Sequence, residues 1–392
     1  MVSSGCDNVG PPPAGAKVIR VTPQSEGTKG PSTAVPAARA PTGTAVQVSP
    51  LPEEVNAITP VPSCRCSPGY YPVAAAEPLY QASLAATREG RFGVALDSAS
   101  RAVSVGMGLD TYRNQLAIAL FNAGRAEEAL AKWGEIAQGS PDGCELGFYA
   151  DALIRLGRPG EAESIARRYV NQCPQSSSAR YLLAYALDRL SKLEAADQEA
   201  TESIKLASDD PSGYHLRSII RGKRNLLDAS LSDARTAVKL KPDDGDYHYR
   251  EACVLWEMDR YSEARQPIAN AAKLSPKDAG IHYLRSMILE EAEELDEALQ
   301  AAKDAVEIDS KDPSYLQQLG DVYEALERPA EAIQAFDRSL ALRFEPGVLY
   351  SRAMCHNKIG QPSAALRDLR ELERKSPGFQ NTRDWINSLE GR

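Results

Sequence analysis

The sequence predicts an all-α protein: an α-solenoid of about nine helix hairpins, closed by a C-terminal capping helix and preceded by a disordered, proline-rich N-terminal segment. Three observations carry the prediction. Small residues recur in pairs at steps of 33 or 34 residues, glycine or proline punctuates each step, and the composition changes near residue 78, before which 14 of the 26 prolines fall. Periodicity on this scale is the mark of a repeat architecture.

In chain order, residues 1–75 come first. Pro11, Pro12 and Pro13 stand there among Ser, Thr, Gly and Ala with few aromatics. Such a stretch buries too little apolar surface to offset the entropy of ordering, so it reads as a flexible, partly extended tether. From Leu79 proline becomes sparse and falls where one helix ends and the next begins.

Residues 76–377 hold the repeats. With the first small residue of each repeat at position 8 and the second at position 20, position 8 is Ser83, Ala117, Ala150, Ala184, Ser218, Ala252, Ser286, Gly320 and Ala353. Position 20 is Ala95, Ala129, Ala162, Ala196, Ser230, Ala264, Ala298, Ala332 and Ala365. Two antiparallel helices approach nearest where side chains are smallest, and a larger residue there overpacks by roughly 1–3 kcal/mol. A turn falls between them, at Gly90, Gly124, Gly157 and Gly360. One hairpin cannot bury its own apolar face, so neighbours stack and stability comes from nearest-neighbour interfaces. Arg217 with Asp233, and Arg352 with Asp368, stand at positions 7 and 23 and are expected to meet across their hairpins.

These residues, most closely "LGDVYEALERPAEAIQAF", resemble the tetratricopeptide repeat family. After Pro377, residues 378–392 look like the amphipathic helix that caps such arrays, with Trp385, Ile386 and Leu389 on its apolar face. Two positions depart from the pattern. Pro267 sits inside a second helix, where it is expected to kink or loosen the turn, and Ala86 replaces a large core residue.

A net charge of −9 argues against nucleic-acid partners, which need a basic stripe. No apolar run reaches the roughly 18 residues of a membrane span. No cofactor is expected, since the chain lacks a Gly-rich phosphate loop, HExxH or GxSxG, and the seven cysteines form no zinc pattern. The protein is therefore read as a non-enzyme without a metal. His248 and His282 share position 4, a packing position, which favours a structural role for them. Cys144 and Cys173 stand at the start and end of one antiparallel hairpin. They read either as a disulfide in an oxidising compartment or as two thiols in a reducing one. Cys6 after "VSSG" is similar to the lipidated first residue of a mature bacterial lipoprotein, so an exported, membrane-anchored protein and a cytoplasmic one both stay open.

Positions 5, 9 and 12 of the first helices share a face distinct from the core, and in the resembling family that face lines the concave surface. Position 5 is tyrosine in five repeats of nine. The expected partner-binding residues are Tyr181, Tyr185, His215, Ile219, Tyr249, Cys253, Trp256, Tyr283, Met287 and Tyr350, an apolar lining densest from repeat 4 to repeat 7. Position 13 supplies a charged rim that changes sign, from Arg155, Arg189 and Lys223 to Glu257 and Glu291. The Lys and Asn pair by which carboxylate-clamp members of the family grip chaperone C-termini is absent, which makes a chaperone co-factor the weaker alternative. The expected function is a scaffold that binds a protein or peptide in its groove. The competing expectation is an accessory subunit that binds through convex or end surfaces. The oligomeric state is left open.

Overall fold

The computed structural model describes residues 73–106, 109–139 and 144–391, apart from the side chain of Cys144. The segment through residue 72, with Cys6, lies outside them. The described residues divide into two compact blocks, 73–242 and 243–391.

The first block holds five hairpins: α1 (Glu77–Arg88) with α2 (Phe92–Val105), α3 (Asp110–Asn122) with α4 (Ala126–Gly139), α5 (Cys144–Arg155) with α6 (Pro159–Gln172), α7 (Ser177–Arg189) with α8 (Leu193–Leu206), and α9 (Pro211–Lys223) with α10 (Leu227–Leu240). The second holds four: α11 (Gly245–Glu257) with α12 (Tyr261–Leu274), α13 (Ala279–Glu291) with α14 (Leu295–Ile308), α15 (Pro313–Ala325) with α16 (Pro329–Leu342), and α17 (Pro346–Lys358) with α18 (Pro362–Lys375). A 3₁₀ turn at Phe379–Asn381 and α19 (Thr382–Glu390) follow. Among the described residues there is no strand.

Each hairpin closes where the small residues predict. Ala117, Ala184, Ala252, Ala264 and Ala298 are fully buried. Where serine replaces alanine its hydroxyl is satisfied, as in the 3.0 Å contact of Ser218 with Ser230. Gly320 is the tightest site: a Cβ there would stand 2.3 Å from the ring of Phe336.

The connecting turns need a residue of positive φ, and Gly90, Gly124, Gly157 and Gly360 supply it. Five turns achieve it without glycine, through Ser191, Asn225, Asp259, Glu293 and Glu327 at φ 57°, 59°, 56°, 62° and 55°. The same closing hydrogen bond follows in each, such as Arg260 N–H to the Leu255 carbonyl at 2.9 Å. Successive repeats begin on Asp210, Asp244, Asp278 and Asp312, whose carboxylates accept the first N–H groups of α9, α11, α13 and α15.

One expectation is corrected here. α12 runs unbroken through Pro267, whose ring is buried in the helix interface. Tertiary packing holds a turn that has lost one hydrogen bond. Both charged pairs form. Arg217 donates to Asp233 through Nε at 2.9 Å and Nη2 at 2.7 Å. Arg352 repeats those distances on Asp368. At the C-terminal end Trp385, Ile386 and Leu389 pack on Ala353, Ala365 and Leu369.

Within each block the first helices of adjacent repeats touch: α1 with α3, α3 with α5, α5 with α7, and α7 with α9, then α11 with α13, α13 with α15, and α15 with α17. Consecutive second helices make no comparable contact. The first helices therefore form the inner layer of each block, the layer to which positions 5, 9 and 13 belong.

Candidate functional site

In the first block the candidate face is built by i, i+4, i+8 ladders on three neighbouring helices. α7 contributes Tyr181, Tyr185 and Arg189, and α9 contributes His215, Ile219 and Lys223. The rings of Tyr181 and Tyr185 lie 6.3 Å apart and tilted by 54°, and both are part-exposed, as are His215 and Ile219. On α5 the same ladder begins at Gly147, where a Cβ would stand 3.1 Å from the ring of Tyr169.

Two of the rim charges turn inward to ion pairs. Arg155 donates from Nε to Asp151 at 2.9 Å. Burial pushes the Asp151 carboxyl above the usual range, and Arg155 opposes that shift. Lys223 holds both oxygens of the fully enclosed Asp188 carboxylate, at 2.9 and 2.6 Å. Arg155 and Lys223 thus tie a helix together or join neighbouring repeats, which reduces the field they present to a ligand. Arg189 is exposed.

In the second block the structure corrects part of the sequence reading. Cys253, Tyr283 and Met287 are only 3%, 6% and 6% accessible, so they are interior residues and not open anchors. The reason is inter-repeat packing. Tyr283 stacks at 5.3 Å on Tyr315 from the next first helix, and both cluster with Met287, Ala305 and Trp256. Burial drives the Cys253 thiol up to about 12, which makes it unreactive at neutral pH. Tyr350 is likewise taken up by the cap, against Phe379 at 6.1 Å and in a hydrogen bond with Trp385.

Tyr249 and Trp256 remain part-exposed on α11. Tyr315 joins them and was missed by the sequence reading, because it stands at position 3, outside the 5–9–12 face. Burial first, then the charges of Asp312, Asp278 and Asp309, push its phenol up. On the rim Glu257 lies 3.9 Å from the buried Arg250, and its carboxyl is raised by burial with Arg250 opposing. Glu291 closes α13.

His282 is buried, with Nε2 3.1 Å from the Pro276 carbonyl and Nδ1 3.6 Å from Asp304. Among the described residues no three His, Cys, Asp or Glu side chains converge as metal ligands would. None of the described helices is long and apolar enough to cross a membrane. Cys173 is buried at the end of α6, while the Cys144 side chain lies outside the described residues, so the bridge stands as an expectation. What the two faces offer is contact: aromatic surface, aliphatic stems and a few fixed charges.

A family model described as "Tetratricopeptide repeat" matches residues 249–313 and 318–378, and a second of the same description matches 145–186. No curated protein sequence matches. Among solved structures, the fold is similar to one titled as the Cut9–Hcn1 hetero-tetramer of the APC/C, at 16% identity and TM-score 0.51 over 75% of this chain and 59% of that one. The chain thus spans under two thirds of that structure's length. Looser likenesses are to pilF of Pseudomonas aeruginosa, at 13% identity and TM-score 0.47 over 55% of this chain and 96% of that one, and to YrrB, at 18% and 0.43 over 48% and 97%.

Proposed function

The chain belongs to the tetratricopeptide repeat family, a helical scaffold for protein interactions, and on that premise we propose that it is a non-enzymatic protein that holds an extended protein segment along its first-helix faces. The observation that carries the reading is the ladder of Tyr181, Tyr185, His215 and Ile219 on the adjoining helices α7 and α9, part-exposed on the inner layer. Tyrosine suits such a surface because its ring buries apolar area while its hydroxyl stays wet. Tyr249 and Trp256 supply a second aromatic site on α11.

The test is affinity purification of the full chain from its own source, comparing wild type with Tyr181→Ala/Tyr185→Ala. Loss of two aromatic anchors, each worth roughly 2 kcal/mol, is expected to weaken the partner by about a hundredfold or more and to leave the melting temperature nearly unchanged. Ala184→Leu, which overpacks a fully buried contact, should damage the fold first. A tyrosine variant that binds its partner at wild-type strength refutes the reading.

A second reading, an accessory subunit that binds through other surfaces, is favoured by one observation. Leu274, Ile308 and Leu342 recur every 34 residues at the ends of α12, α14 and α16 and are 41%, 41% and 49% exposed. If Ile308→Lys/Leu342→Lys abolishes association while the tyrosine variant does not, this reading replaces the first. Tethering by lipid belongs to Cys6, outside the described residues. Its test is the intact mass of natively produced protein, with an acyl increment on Cys6.

A further inference from the structure

The net charge of the chain is confined to one part of it. Residues 73–242 hold 21 acidic and 21 basic side chains, whereas residues 243–392 hold 29 acidic against 19 basic, a net charge of −10. Between residues 290 and 331 there are 14 acidic and 3 basic side chains.

Within this acidic block lies an aromatic site with an unmet donor. Trp256 packs beside Tyr283, Met287 and Tyr315 and is part-exposed. Its indole N–H is buried without an acceptor among the described residues. A buried donor left unmet is costly, and a backbone carbonyl entering from outside would satisfy it. Aromatic surface, a tryptophan N–H and an acidic surround together suit an extended, proline-containing, basic segment. Such a segment has no internal hydrogen bonds, so its carbonyls are free to be bound, and it has little conformational entropy to lose.

The chain carries a segment of that chemistry. Residues 11–41 contain Pro11, Pro12, Pro13, Pro23, Pro31, Pro36 and Pro41, with Lys17, Arg20, Lys29 and Arg39 against the one acidic residue Glu26. This stretch lies outside the described residues. Residues 42–72 join it to Val73, and a flexible link of that length reaches on the order of 30 Å on average and about 100 Å when extended. We propose that this basic, proline-rich stretch docks in cis on the aromatic face around Trp256 and Tyr249, and occupies it until a partner displaces it. The proposal rests on the reading of these faces as segment-binding surfaces, and adds that one of them has a resident ligand.

Zero-length carbodiimide coupling of the dilute full chain tests it, with the amines of Lys17 and Lys29 as reporters. The expected isopeptides lie within single molecules and join these lysines to carboxylates of residues 243–392. Arg20→Glu/Arg39→Glu keeps both reporters and alters no residue of the folded blocks, and should lower the coupling about fivefold or more. Trp256→Phe, which keeps the ring and removes the N–H, should lower it too. Coupling shared between the two blocks in proportion to their 21 and 29 carboxylates, found only between molecules, or indifferent to both variants would overturn the proposal. The two readings fail separately. If coupling is unselective while Tyr181→Ala/Tyr185→Ala still loses the partner, only the occupancy in cis falls. If coupling is selective while that tyrosine variant still binds its partner, only the partner-binding role of the first block falls.

Discussion

Gly320→Ala is expected to destabilise the protein, against the ordinary rule for helices. Alanine in a helix interior is favoured over glycine by about 1 kcal/mol. At Gly320 the added Cβ would stand 2.3, 2.5 and 2.8 Å from three ring atoms of Phe336, a side chain with no exposed surface. Overpacking of this kind costs roughly 1–3 kcal/mol, so the net change is a loss of about 0–2 kcal/mol. Phe336→Leu removes the obstructing atoms, and in that background Gly320→Ala should recover its normal sign and stabilise by up to about 1 kcal/mol. Comparing the alanine change in the two backgrounds cancels the cost of the leucine itself. Repeat arrays unfold in parts, so the assay is native-state hydrogen exchange of α15 and α16 amides, with denaturant melts in support. A Gly320→Ala variant that is more stable than wild type, or whose effect is the same with and without Phe336→Leu, would refute the packing argument.

Asp233 accepts from Arg217 at 2.9 and 2.7 Å and from Arg221 at 2.8 Å. Asp233→Ala should therefore cost about 3 kcal/mol, whereas Arg217→Leu/Asp233→Leu should be near neutral, and a double-mutant cycle measures the difference. Glu327 occupies a left-handed turn at φ 55° that glycine fills elsewhere. Glu327→Gly should raise stability by roughly 0.5–1 kcal/mol, and a lower melting temperature would contradict this. Burial raises the Glu257 carboxyl in the fold, so its protonated form is favoured there. Its contribution to stability is present below the unfolded carboxylate value and is lost as pH rises through the raised one, and Glu257→Gln should flatten that part of a stability-versus-pH curve. If the protein is exported, non-reducing peptide mapping should recover Cys144 joined to Cys173, and reduction should cost about 3 kcal/mol. Two free thiols in an exported sample would remove the bridge.

The hairpins, their register and their contact points were legible in the sequence because they depend on residue size at fixed spacing. Ala252 and Ala298 could be placed in the helix interface from a 34-residue comparison, and the structure buries both completely. The Arg217–Asp233 and Arg352–Asp368 pairs followed from the same register. Glycine marked four of the left-handed turns, but Glu293 and Glu327 adopt the same conformation with no compositional sign, since the closing hydrogen bonds impose it.

The candidate faces were legible only as ladders of residue types. Helical spacing placed Tyr283 and Tyr350 on the same stripe as Tyr181. Tertiary packing alone decided that Tyr283 is sealed by Tyr315 of the next repeat, that Tyr350 is sealed by Phe379 and Trp385 of the cap, and that Tyr181 stays part-exposed. The charged rim divides in the same way. The sequence determined that Lys223 is basic, and the structure committed that charge to Asp188 of the preceding repeat. Local periodicity determines which residues share a helix face. Burial depends on what the neighbouring helices bring to that face, and those partners lie some 30 residues away, at positions the period does not constrain.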